Sequence, residues 1–154
     1  MTTPALFPTV ATPQPTRPPR LQVAWRRMRL SVRRDPLAAV TSPAAAIQLV
    51  DSMLARTAVG RCDYEIWCSV AVAPLAALLA AGSPVGHGAG ISWVRHTVAD
   101  LHTTGTSAAA WDNAENATRQ LPSDVLRAAL PRWRGFPPRQ RQTITRVITE
   151  ALHL

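Results

Sequence analysis

"DYEIWCSVAVAPLAALLAAG", residues 63–82, is the stretch on which the reading of this chain turns. Asp63 and Glu65 fall where the first turn of a helix would favour negative charge. Beyond them the apolar residues show neither a one-sided stripe nor a two-residue alternation, so a helix here has no face to give to water. Such a segment is either the central helix of a bundle or a membrane span. The apolar run from Ile66 to Ala81 holds sixteen residues. That is about 24 Å of helix against roughly 30 Å of hydrocarbon. Pro74 interrupts it, alanine supplies much of its hydropathy, and the Gly-rich "GSPVGHGAG" that follows cannot lengthen it. The expectation is therefore a buried core helix.

On the N-terminal side, "TSPAAAIQLVDSMLARTAVG" (41–60) carries Ser42 as N-cap and Pro43 at the first helical position. Ile47, Val50 and Leu54 form the expected apolar face, with Gly60 as the end. On the C-terminal side, "ISWVRHTVADLHTTG" predicts a helix with Ile91, Val94, Val98 and Leu101 on one side. "TSAAAWDNAENATRQ" holds a shorter helix, and "PSDVLRAALPRW" a brief one stopped near Pro131 and Gly135. "PPRQRQTITRVITEALHL" closes the chain with Ile144, Val147, Ile148, Ala151 and Leu152 on one stripe. No segment alternates as a strand would. The expected fold is all-α, a compact bundle of five to seven helices. Its helical core is placed at 42–132, with a basic amphipathic helix at 136–154 outside that core.

The front of the chain reads differently. Residues 1–20 contain six prolines and no apolar run, which suits a disordered or polyproline-like tail rather than a secretory signal. Residues 21–34, "LQVAWRRMRLSVRR", place Leu21, Trp25, Met28 and Val32 at helical spacing among arginines, and Asp35-Pro36 breaks that helix.

Charge follows the same division. All seventeen basic residues are arginine, and the net charge is +8. Residues 1–34 carry +7, residues 35–126 carry −4 and residues 127–154 carry +5. Enrichment in Arg, Ala and Pro is what a GC-rich genome produces. Its physical consequence is that every positive site is a planar fork suited to phosphate and carboxylate. Basic ends of this kind point to nucleic acid, anionic lipid or an acidic protein face. The counter-reading is a solvated basic surface, or arginines folding back onto the acidic middle.

Four constellations remain. Arg26, Arg27, Arg29, Arg33 and Arg34 crowd beside Trp25, and Arg132, Arg134, Arg139, Arg141 and Arg146 surround Trp133. Arginine beside indole can neutralise phosphates and stack on bases, and without a helix-turn-helix signature the contact would be mostly to the backbone. Cys68 is the nucleophile candidate, with His96 as base or His87 and His102 in its place, and Asn113 or Asp100 as orienting group. Against it stand the lack of strands, the position of Cys68 a turn inside its helix, and the ordinary fate of a lone cysteine as a small buried hydrophobe. Cys62 and Cys68 with His96 and His102 are spaced too widely to converge as zinc ligands, so no metal and no cofactor is expected. Two cysteines make no disulfide framework, and the chain reads as reduced and cytoplasmic.

Trp111-Asp112-Asn113 is the last. Asp112 and Asn113 can fold back on their own backbone as Asx turns do, Trp111 can anchor the loop, and Pro122 with Asp124 can open the next helix. These residues read as a structural corner. Together with "WCSVAVAPLAALLAAG" this block resembles a small uncharacterised domain family of actinobacteria and their phages. That family pairs a helix opening Cys-Ala-x-Gly-Ala with a Trp-Asn-Asp loop. Here the polar pair is reversed, Val70 and Pro74 replace small residues, and Leu121 stands where the family has a capping threonine. The resemblance implies a helical domain over 42–132 and brings no activity with it.

The function expected from all this is a non-enzymatic accessory or regulatory module that binds nucleic acid or a protein partner through its Arg-rich ends. The alternative is a cysteine-dependent hydrolase centred on Cys68.

Overall fold

The computed structural model of the chain describes residues 35–57, 65–103 and 107–153. Within these, six α-helices follow one turn of 3-10 helix at Pro36–Ala39. They are α1 (Pro43–Leu54), α2 (Glu65–Gly82), α3 (Gly90–Thr103), α4 (Ala108–Thr118), α5 (Asp124–Arg134) and α6 (Pro138–His153). No strand occurs among the described residues, and the fold is all-α.

The apolar helix is central. α2 packs against every other helix and against the 3-10 turn. Ala71 and the whole run Leu75 to Ala81 are buried, as the lack of a polar face requires. Its first turn lies at the edge, where Ile66 is 68% exposed. Pro74 stays inside the helix, because the burial on either side of it outweighs the roughly 3 kcal/mol that an interior proline costs. No helix among the described residues is long and apolar enough to cross a membrane.

α1 begins as its sequence says: Pro43 is its first residue, and the Ser42 hydroxyl accepts from the Ala45 N–H at 3.1 Å. Its buried stripe is Ala46, Val50 and Leu54, four residues apart. Ile47, expected in that stripe, is exposed, since one residue's offset turns the side chain by about 100°. α3 buries Val94, Val98 and Leu101 and half-buries Ile91. α6 buries the stripe read from its sequence, Ile144, Val147, Ile148, Ala151 and Leu152, together with Thr145.

That burial corrects the expected boundary. α6 packs on α1, α2 and α3, so the C-terminal basic helix is a wall of the core and not an appendage to a 42–132 domain. The core also begins earlier, because Leu37 and Val40 are buried within it. A stripe of large aliphatic residues cannot be left in water when a bundle is there to cover it. The described residues accordingly form one compact unit.

Two connections carry strong local constraints. The chain leaving α2 wraps over its own C-terminus, with the His87 N–H donating to the Ala81 carbonyl at 2.9 Å. Gly86 makes that approach feasible, since a Cβ there would lie 2.2 Å from the Ala81 oxygen. Gly90 opens α3 at φ +79°, and a Cβ on it would meet Oδ2 of Asp35. Asp35, expected only as a helix breaker, serves as a cap. Its Oδ1 accepts from the Leu37 N–H at 2.9 Å and its Oδ2 from the Ile91 N–H at 3.1 Å. One carboxylate therefore caps both the 3-10 turn and α3, fifty-six residues later, at the positive end of the helix dipole.

Candidate nucleic-acid interface

α4, α5 and α6 meet around two indoles. Trp111 of α4 and Trp133 of α5 pack edge to face, with ring centroids 5.1 Å apart and planes at 83°. Trp133 is fully buried and Trp111 is 3% exposed. Trp133 Nε1 has no hydrogen-bond partner among the described residues. That cost of about 1–3 kcal/mol is offset by the burial of a side chain worth about 3–5 kcal/mol. Arg141 of α6 closes the stack, its guanidinium carbon 6.0 Å from the Trp111 ring centroid.

This geometry corrects the corner reading. Trp111, Asp112 and Asn113 lie inside α4, which runs unbroken from Ala108 to Thr118. Asx turns form where the backbone leaves the helix, and here Trp111 pulls its neighbours into helical geometry by docking on Trp133. Asp112 therefore points outward and shares Nη1 of Arg134 with Glu115, at 2.7 and 3.3 Å. Those hydrogen bonds, to Asp112 first and then to Glu115, hold the Arg134 pKa above its ordinary value. The next helix starts at Asp124, two residues later than the expected Pro122. Ser123 is its N-cap and accepts from the Leu126 N–H at 3.5 Å, Asp124 follows in the first turn, and Pro122 precedes the cap. Of the two expected stops, Gly135 is the one that ends α5, and the helix continues through Pro131 to Arg134, which keeps Trp133 docked.

The arginines divide by role. Arg127 pairs with Asp124 and also donates to the Leu121 carbonyl, which ties the loop before α5 to its first turn. Arg134 is held by Asp112 and Glu115, and Arg141 lies over Trp111 and donates to the Arg134 carbonyl at 3.5 Å. Arg95, unremarked in the sequence, donates to the Leu152 carbonyl at 3.0 Å and satisfies an orphan acceptor at the end of α6. Arg132, Arg139 and Arg146 are exposed and form no ion pair among the described residues. Arg139 and Arg146, seven apart, share the face of α6 opposite the buried stripe. Trp133, expected to stack on bases beside these arginines, is inside the core and cannot do so.

Trp25, Arg26, Arg27, Arg29, Arg33 and Arg34 lie outside the described residues, as does Cys62. Cys68 forms no disulfide among the described residues and is half-buried in α2, packed against the hydrophobic core. His96 is exposed on α3, and its Nδ1 lies 2.8 Å from the Ser92 carbonyl of the same helix, a contact that makes Nδ1 the protonated nitrogen. No set of three His, Cys, Asp or Glu side chains converges as a metal site among the described residues.

His87, Asp100 and Asn113, named in the sequence only as possible partners of Cys68, belong to a grouping whose lining does not include that thiol. His87, Trp93, Thr97, Asp100 and Asn113 line a common cleft between α3 and α4. The spacing 93, 97, 100 on a helix carries the signal for one side, but the opposite side comes from another element.

The fold and its surface define a small all-α bundle with an arginine face and no assembled metal centre among the described residues. Comparison of the chain with protein-family models, curated proteins and solved structures finds no match.

Proposed function

We propose that this chain is a non-enzymatic accessory module that binds nucleic acid through its arginine-rich ends, mainly by contact with the phosphate backbone. The observation that carries this reading is the set of exposed arginines on α5 and α6 that have no ion pair among the described residues, namely Arg132, Arg139 and Arg146. The apolar stripe of α6 is fully used by the core, so its remaining face is committed to solvent or a charged partner. The seven arginines of residues 1–34 add to the same charge. With Trp133 buried, the C-terminal surface offers charge and guanidinium planes but no indole for a base. Low sequence preference and a steep dependence on salt follow from that.

A salt titration of binding to random-sequence duplex DNA tests the proposal, because its slope counts the phosphates neutralised. Replacing Arg132, Arg139 and Arg146 together by glutamine should flatten the log–log slope by roughly 2 to 3, at about 0.9 per phosphate contact. Replacing Arg26, Arg27, Arg29, Arg33 and Arg34 should flatten it further. Binding whose slope is unchanged by both sets, or no binding at low salt, would reject the proposal.

A further inference from the structure

The cleft between α3 and α4 is the feature that charge and packing on the outer surface leave unexplained. It has a volume of about 370 Å³, within the range of small-molecule sites. One wall is α3, where Trp93, Thr97 and Asp100 follow one another at helical spacing. The other is α4, where Ala110, Ala114 and Ala117 present methyl groups and Asn113 a carboxamide. His87 packs against the Trp93 ring, centroids 4.3 Å apart and planes at 80°, and the loop over the end of α2 holds it there.

The charge of the lining selects the occupant. The chain has seventeen arginines and a net charge of +8, yet among the described residues no arginine lines this cleft. Among the same residues its one lining carboxylate is that of Asp100. Its negative charge, not a vacant lone pair, sets the sign of the ligand. Asp100 and Trp93, two turns apart on the α3 wall, suit a cation that carries an apolar body: the carboxylate attracts the charge and the indole packs against the body. The alanine methyls facing them suit a flat apolar body, and Thr97 with Asn113 offers acceptors for the remaining donors.

We infer that this cleft is a binding site for a small organic cation, an amine or guanidine carrying a compact apolar or aromatic body. The inference is independent of the arginine surface, since none of its residues belongs to the cleft.

The test uses three probes with the same ring and a similar chain: tyramine (cationic), 2-(4-hydroxyphenyl)ethanol (neutral) and 3-(4-hydroxyphenyl)propanoate (anionic). Each is titrated into the full chain and followed by amide chemical shifts, with agmatine as a guanidinium without a ring. Tyramine should saturate with shifts centred on residues 87–100 and 110–117, and bind roughly tenfold or more tighter than the neutral and anionic probes. Asp100→Asn should reduce tyramine affinity to that of the neutral probe and leave the neutral probe unchanged. Ala117→Leu, which fills the cleft, should abolish binding of every probe. Asn113→Leu is exposed enough to fold even where Ala117→Leu does not, and should weaken tyramine binding too. Equal affinity for the three probes, insensitivity to Asp100→Asn, shifts mapping elsewhere, or no saturation at millimolar concentration overturns the inference.

Discussion

α2 and α4 are both helices of one bundle, and they exist for opposite reasons. α2 is apolar on every side, and nearly all of its length beyond the first two turns is buried. Its burial follows from its own composition, whichever neighbours happen to cover it. α4 is short, mostly alanine and polar residues, and its N-cap Ser107 makes no side-chain cap hydrogen bond. An isolated helix of its length is marginal in water. It persists because Trp111 docks on Trp133 and because Asp112 and Glu115 reach Arg134, all supplied by the next helix. One helix is specified by hydrophobicity that any partner can satisfy, the other by particular partners.

The sharpest way to break this contrast is to remove the partner. Trp133→Ala should cost about 3–5 kcal/mol and melt α4 along with the α5 contact, read by urea unfolding and by amide exchange across residues 108–118. If α4 stays protected in that variant, its dependence on Trp133 is wrong. Leu78→Ala in the fully buried part of α2 should cost about 2–5 kcal/mol, but the loss should be global, with no helix singled out in exchange.

Smaller effects probe ends rather than cores. Gly90→Ala forces a side chain into positive φ and against the Asp35 carboxylate, and should cost about 1–3 kcal/mol by thermal melting. Asp35→Ala should cost about 1 kcal/mol through the loss of two caps, with faster exchange at both Leu37 and Ile91. Loss of protection at only one of them would mean that the carboxylate serves one helix, not two.

The smallest effect should come from Arg134→Gln, since that side chain is 35% exposed and its ion pairs are screened by water and salt. Its destabilisation should fade as salt is added. The sign of its pH dependence follows from the raised pKa. A cation whose folded value lies above its unfolded value contributes in full below the ordinary arginine range, and loses that contribution only as pH rises through the folded value. Between about pH 6 and about pH 9 the Arg134 guanidinium stays charged in both states, so its own titration adds no slope to the stability difference.

Much of this was legible in local sequence. The α6 stripe was readable in full, because 3.6-residue periodicity is an intrahelical property and the residues on it are large and aliphatic. Ser42-Pro43 read correctly because a cap and its helix are contiguous. Trp111-Asp112-Asn113 was misread because those residue types also make turns, and the deciding contact lies twenty-two residues away. Trp133 looked like a surface aromatic among arginines, since arginines flank buried tryptophans and exposed ones alike. The cleft was invisible as a unit, because its lining is divided between two helices and the loop that carries His87.

What the amino-acid sequence by itself determined is the helical class, the central place of α2 and the buried face of α6, all set by the pattern of apolar side chains along a single helix. Only the tertiary structure decided that Asp35 caps a distant helix, that two tryptophans pair inside the core, which arginines are spent on ion pairs, and that α3 and α4 enclose a cleft. The physical reason is one of range. Burial periodicity repeats every few residues, whereas a cap, a ring contact or an ion pair depends on where the folded chain returns to itself.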